Sequence, residues 1–215
     1  MQLFRTLAAL GRPNSSAPHV VTVGVFDGLH IGHRAILDCA RSEAAKEGVR
    51  TLVFTFEPTP KEFFSPSTAP PRLTRFRERF ELLADIGIDD LLCPSFGAVR
   101  DLAPRTFIDD LLVGALRARH VVVGDDFRFG ANRQGTVNDL RAAGARHGFG
   151  VTEVAPVSWQ GVRVSSTAIR EALQSGNLEG ARGMLGRDYS MSGRVVRGLG
   201  LGRKLGFPTA NVNLQ

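Results

Sequence analysis

The sequence is short of cysteine, and its two examples, Cys39 and Cys93, stand far apart. Neither belongs to a Cys-x-x-Cys or Cys/His spacing, so a thiolate metal site and a disulfide framework are both set aside. Two buried free thiols in a reducing compartment are expected instead. Lysine is scarcer still relative to its partner, with 3 lysines against 24 arginines. No basic run with interleaved aromatics occurs, which argues against nucleic-acid binding. The formal charge of +6, half of it carried by residues 188–215, suits a polyanionic small molecule. No apolar stretch approaches the roughly 20 residues needed to span a bilayer. Residues Met1 to Leu10 lack an apolar h-region and a small-residue cleavage site, so a cytoplasmic protein without membrane attachment is expected.

What is present is a series of strand and helix signals. His19 to Gly24 is a short β-branched run that leads into a glycine-rich turn and then a helix with apolar spacing at Ile36, Ala40 and Ala44. Gly48 follows as its stop. Arg50 to Phe56 reads as a second strand, followed by a long proline-rich connection from Pro58 to Pro71. Thr74 is the expected cap of a helix whose apolar face is Phe76, Phe80, Leu83 and Ile86. Asp90 to Cys93 is a strand, Pro104 to Leu116 a helix, His120 to Gly124 a buried strand, and Val151 to Pro156 the last strand. Alternation of this kind predicts a parallel sheet with helices on both faces, and a ligand site beyond the carboxyl ends of the strands. From Asp188 the pattern turns to β-type sequence without a helix. The 28 residues from there on are too few to build a core of their own.

Three segments carry polar chemistry. In Gly24-Val-Phe-Asp-Gly-Leu-His-Ile-Gly-His33, two histidines three residues apart flank Gly32 where a strand becomes a helix. A helix N-terminus there offers free amides to an anion, and each imidazole adds a donor for phosphate oxygens. Gly28 and Gly32 let backbone approach the phosphates, and Asp27 could position Mg²⁺ or orient a histidine. The glycine spacing fits neither Gly-x-Gly-x-x-Gly nor the P-loop. In Arg163-Val-Ser-Ser-Thr-Ala-Ile-Arg170, Ser165 or Ser166 caps a helix, and two arginines suited to forked phosphate contacts flank it. Gly124-Asp-Asp-Phe-Arg-Phe-Gly130 either stacks an aromatic ligand or is a charged loop over two core phenylalanines.

Taken together and in this order, the segments resemble the prokaryotic bifunctional riboflavin kinase/FAD synthetase family. His30-Ile-Gly-His33 resembles its His-x-Gly-His motif and Val164-Ser-Ser-Thr-Ala-Ile-Arg170 its serine-rich signature. Phe56-Glu-Pro-Thr-Pro60 and Val123 to Gly130 resemble its flavin-side segments. Gly198 to Gly202 with Pro208-Thr-Ala-Asn211 is similar to the opening of its kinase module. The resemblance implies a Rossmann-like nucleotidylyltransferase domain with a parallel sheet over residues 1–187, followed by the start of a small β-barrel over 188–215. It implies transfer of AMP from ATP to FMN with release of pyrophosphate, with Mg²⁺ as the metal. His30, His33 and Arg163 would be catalytic. Gly24, Phe26, Asp27, Gly28, Gly32, Ser166, Thr167 and Arg170 would bind ATP, and Phe56, Pro58, Pro60 and Asp126 the flavin. Thr209 and Asn211 would bind the kinase metal. The family's kinase base lies beyond the Pro-Thr-Ala-Asn motif, so riboflavin phosphorylation by these 215 residues is not expected. The expected partners are ATP, FMN and riboflavin, with self-association through the tail. Two other readings are a nucleotidylyltransferase acting on a different phosphate and a flavin-binding module without catalysis.

Overall fold

The computed structural model describes residues 1–9, 17–198, 201–207 and 209–213. Leu199 and Gly200 of the glycine-rich stretch, and Pro208 of the Pro-Thr-Ala-Asn motif, lie outside the described residues. Six strands form one parallel sheet: β1 (Gln2–Phe4), β2 (His19–Val23), β3 (Arg50–Phe54), β4 (Asp90–Leu92), β5 (Ala118–Gly124) and β6 (Gly150–Val154). Their order is β1-β4-β3-β2-β5-β6. Every residue of β2 is buried, which is why the run His-Val-Val-Thr-Val does not alternate with polar residues.

The sheet is covered on both faces, and the pleat decides which side chain meets which helix. Val21, Val23, Leu52, Phe54, Val121 and Val123 share one cluster with the helices of residues 104–115 and 137–147. Their neighbours Val20 and Val122 turn the other way, onto Ala40 and Ala44 of α1 (Ile31–Glu47). Val53 and Leu91 do the same against Leu37 of α1 and Leu83 and Ile86. The remaining helices in chain order are α2 (Pro60–Phe64), α3 (Phe76–Ile86), α4 (Pro104–Thr106), α5 (Val137–His147), α6 (Ser166–Gln174) and α7 (Leu178–Leu185). A two-stranded hairpin, β7 (Ser158–Trp159) with β8 (Val162–Arg163), precedes α6. Beyond α7 come β9 (Arg194–Val196), a helical turn α8 (Leu201–Lys204) and β10 (Asn211–Asn213), with β9 and β10 antiparallel.

Several expectations need correction. Gln2–Phe4, to which no element was assigned, is an edge strand paired with Asp90–Leu92. The proline-rich connection contains α2, started by Pro60 and a capping box between Thr59 and Glu62. The helix predicted from Pro104 runs on as a π-helix over Phe107–Ala115, burying Phe107, Ile108, Leu111 and Leu112. Thr74 does not cap α3: Arg75 holds that position, and the Thr74 hydroxyl is used elsewhere. Cys93 is buried as expected, whereas Cys39 is half-buried. The tail, expected to lack helix, has one turn of it at α8.

Candidate active site

The chain leaves β2 to lay β3 on one side of it, and later returns to lay β5 on the other. Loops that depart in opposite directions leave a crevice at the carboxyl ends of such strands. A cavity of about 990 Å³ opens there, bordered by Gly24 after β2, Phe56 after β3, Gly124 of β5 and Val154 of β6.

The turn from β2 into α1 is held in an unusual backbone. Phe26 and Leu29 have φ of 54° and 42°, in the left-handed region that side chains normally avoid. Gly28 has φ 84°, and a β-carbon there would lie 2.8 Å from Leu73 Cδ1. The Asp27 carboxylate fixes this turn from behind. It accepts hydrogen bonds from the Leu73 amide (3.0 Å), the Thr74 amide (3.0 Å) and the Thr74 hydroxyl (3.3 Å). It also takes the Arg170 guanidinium in an ion pair whose side chains are 13% and 8% exposed. Thr74 Oγ1 accepts from the Gly28 amide at 3.0 Å. Asp27 is therefore held by several partners at the edge of the cavity it lines, and among the described residues no hydrogen bond joins it to a histidine.

His30 is the N-cap of α1, and its Nδ1 accepts the His33 amide at 3.1 Å. With Nδ1 an acceptor, the neutral ring carries its proton on Nε2. The two imidazoles stack, with centroids 3.6 Å apart and planes 14° apart, and Phe26 meets the His33 ring edge-on at 5.2 Å. His33 Nδ1 is buried without a partner among the described residues. Burial holds the His30 pKa down at about 4, against the opposing pull of the Asp27 carboxylate. Burial, and then the adjacent His30, push His33 well below the ordinary imidazole range. Both rings are neutral at pH 7.

The second helix N-terminus meets the first. Ser165 caps α6, its Oγ accepting the Ala168 amide at 3.1 Å. Ser166 Oγ donates to the Asp27 carbonyl at 2.9 Å, across 139 residues of sequence. A β-carbon on Gly32 would sit 3.2 Å from the His30 ring, so glycine there leaves room for the imidazole. Gly32, His33, Ser165, Ser166 and Thr167 all line the cavity. Arg170 also lines it, with its guanidinium on Asp27 and its Nε donating to the Pro71 carbonyl at 2.6 Å. Arg163 is half-exposed on β8, and its guanidinium reaches Asp125 at 2.7 Å.

The far wall is aromatic. Phe56 packs edge-on against Phe54 and Phe96, at 4.8 and 5.5 Å. Phe64 is 62% exposed beside Phe96, and the Arg100 guanidinium lies 5.4 Å from its ring centre. Phe56, Pro60, Phe64, Phe96 and Asp126 line the cavity, whereas Pro58 is exposed and does not. Glu57 and Glu62 clamp Arg72, and that contact keeps the Glu62 carboxyl down at about 2. Glu57 also binds buried Arg79 at 3.0 Å, and Arg79 in turn donates to the Val25 carbonyl at 3.0 Å. Thr209 and Asn211 are exposed in the tail, their side chains packed beside Gly202 and Gly198. The sequence reading missed Leu73, Phe64 and Phe96. Thr74 was read as a helix cap and Asp125 only as part of the Gly124–Gly130 segment, and nothing local tells which partner they meet.

Comparison with known proteins gives concordant results. Residues 12–168 match the FAD synthetase family and residues 185–215 the riboflavin kinase family. The bifunctional riboflavin kinase/FMN adenylyltransferase of Escherichia coli (strain K12) is 47% identical over 219 residues, covering 100% of this chain and 69% of that protein. The protein of the same description from Pseudomonas fluorescens is 44% identical over 216 residues, covering 100% and 68%. A crystal structure described as a macrolide-efflux protein from Streptococcus pneumoniae superposes with a TM-score of 0.83 at 30% identity, covering 99% of this chain and 68% of that one. Among the described residues of this chain, no helix is long and apolar enough to cross a membrane.

Proposed function

The chain belongs to the bifunctional riboflavin kinase/FMN adenylyltransferase family, and from that premise we propose how its residues make FAD from ATP and FMN. A phosphate oxygen of FMN forms a bond to the α-phosphorus of ATP, the bond from that phosphorus to the β-bridging oxygen breaks, and pyrophosphate leaves. No covalent intermediate on the protein is required. The protein's part is to hold the two phosphates in line and to stabilise the charge that grows on their oxygens.

The observation that carries this reading is the stacked, neutral pair His30 and His33 at the N-terminus of α1, tied through Asp27 to the N-terminus of α6. His30 Nε2–H and the orphaned ring of His33 are donors with no internal duty, and an orphaned polar atom in a cavity wall calls for a partner from outside the fold. They serve the α-phosphate. Ser166, Thr167 and Arg163 serve the departing pyrophosphate, and Gly24, Phe26, Gly28 and Gly32 give the backbone its close approach. Asp27 and Arg170 act behind this surface by fixing the turn. Phe56, Pro60 and Asp126 frame the isoalloxazine, joined by Phe64 and Phe96. Among the described residues no cluster of three His, Cys, Asp or Glu is arranged to hold a metal. Mg²⁺ accordingly enters on the triphosphate, which suits a cation that keeps most of its own water.

The test is chromatography of a reaction containing ATP, Mg²⁺ and FMN, with FAD and pyrophosphate expected in equal amounts. FMN left unchanged while another phosphate monoester is nucleotidylated would remove the flavin assignment.

A further inference from the structure

Arg163 is the cation the reaction requires nearest the leaving pyrophosphate, and in the fold it is already bound. Its guanidinium lies 2.7 Å from Asp125 Oδ1 and 3.9 Å from Asp126 Oδ2, with the Arg163 and Asp125 side chains 53% and 31% exposed. Asp125 follows β5 at the point where the sheet changes direction, and Arg163 stands on the small hairpin β7–β8 outside the sheet. The pair therefore bridges the cavity mouth between two elements that share no strand ladder. Both residues line the cavity. The hairpin itself is short, with two residue pairs and a turn through Gln160 and Gly161 at φ of 48° and 80°. Such a unit gives Arg163 little stiffness of its own, so its resting position depends on the carboxylate.

We propose that Asp125 is a positioning residue that holds Arg163 in the empty site and is exchanged for the triphosphate when ATP binds. The inference rests on the nucleotidyl-transfer reading and adds a step to it. On binding, the Arg163–Asp125 ion pair breaks and the guanidinium passes to phosphate oxygens, whose higher charge makes them the stronger partner. After transfer, Asp125 reclaims Arg163 from pyrophosphate and speeds its departure. The device keeps Arg163 in place beside the cavity, and it weakens ground-state binding of polyphosphate in return. A solvent-exposed pair of this type is worth at most about a fivefold change in an equilibrium constant.

The experiment is calorimetric titration of the full chain with Mg·ATP and, separately, with inorganic pyrophosphate. Wild type, Asp125→Asn, Arg163→Ala and the double variant are compared. Asp125→Asn should tighten both ligands by about two- to fivefold when Arg163 is present. In the Arg163→Ala background the same substitution should leave affinity unchanged. In turnover, Asp125→Asn should lower the KM for ATP and deepen product inhibition by pyrophosphate, and Asp125→Glu should restore both. Equal tightening in the two backgrounds would mean that Asp125 merely repels the anion and would overturn the exchange. So would unchanged or weaker binding by Asp125→Asn. Failure of the wild-type chain to bind either ligand would bring down the nucleotidyl-transfer reading itself, a result separate from the other two.

Discussion

His30 and His33 are uncharged donors because the fold buries them, and this has consequences that can be measured. His33→Ala should reduce kcat by about 10²–10³ while leaving the KM for ATP nearly unchanged, since a donor aimed at developing charge acts mainly in the transition state. If affinity falls and kcat holds, His33 is a ground-state contact. The pH dependence follows from the same burial. His30 titrates near 4 in the fold and near 6.5 when unfolded. Between those values the unfolded chain binds more protons than the folded one. Stability therefore rises with pH across this window, and acidification from about 6.5 to about 4 removes up to about 3 kcal/mol. Denaturant titrations at a series of pH values read this directly, and Ala at position 30 should flatten the slope. Catalysis should show no inflection near 6.5. The motif was visible in the sequence as two histidines around a glycine. That their rings would be neutral was not, because desolvation depends on what Phe26 and the rest of the turn bring over them. The partners of Asp27 were hidden for the same reason. Its partner Arg170 lies 143 residues away, and no local pattern announces a pair of that kind. Asp27→Asn should destabilise the chain by about 3 kcal/mol by leaving a buried guanidinium without its counter-charge. Replacing Arg170 by Met in that background should recover part of the loss.

At the scale of elements, the long periodic segments were legible and the short or context-held ones were not. The five strands from His19 to Val154 and the helices α1 and α5 follow hydrophobic runs, caps and terminal glycines that the sequence displays. Strand β1 is three residues long, and only its pairing with Asp90–Leu92 makes it a strand. The π-helix from Phe107 answers to the packing of Leu111 and Leu112 against the sheet rather than to any local signal. Hairpin β7–β8 is too short to show a period. The turn from β2 to α1 lies between these cases: its glycines were visible, but not the residue they avoid. Gly28→Ala tests that turn. The added β-carbon meets Leu73 Cδ1 at 2.8 Å and must adopt φ 84°, so stability should fall by roughly 1–3 kcal/mol. A larger proportional loss should appear in kcat, because the same turn carries His30 and His33. Thermal unfolding and turnover of the one variant give both readings, and an alanine tolerated in both would show the turn to be slack.

For the whole molecule, the contrast is between a six-stranded sheet in the stretch matching the FAD synthetase family and a two-stranded pair in the stretch matching the riboflavin kinase family. Among the described residues, strands β9 and β10 pair only with each other, and a two-stranded antiparallel ribbon is marginal in water. Val195, Leu205 and Phe207 are 66%, 74% and 76% exposed, so the tail leaves much of its apolar surface in water. Its described hold on the first unit is small: Tyr189 packs against the cluster of Leu73, Val164 and Ile169, and the Ser192 amide and hydroxyl both donate to Glu78, which also caps α3. Thr209 and Asn211 thus stand exposed in a segment whose described residues offer little to orient a metal, a phosphate and an acceptor hydroxyl together. We expect this polypeptide to convert FMN to FAD and to give no FMN from riboflavin and ATP. Amide exchange should be fast across β9 and β10, and slow in β2 and β5 at the centre of the sheet. Both measurements use the same preparation, so an inactive sample cannot imitate the result. FMN produced from riboflavin at a rate proportional to the square of protein concentration would point to tails completing one another between molecules. A rate linear in concentration, with protected amides in residues 194–213, would show that the ribbon is ordered enough to act alone.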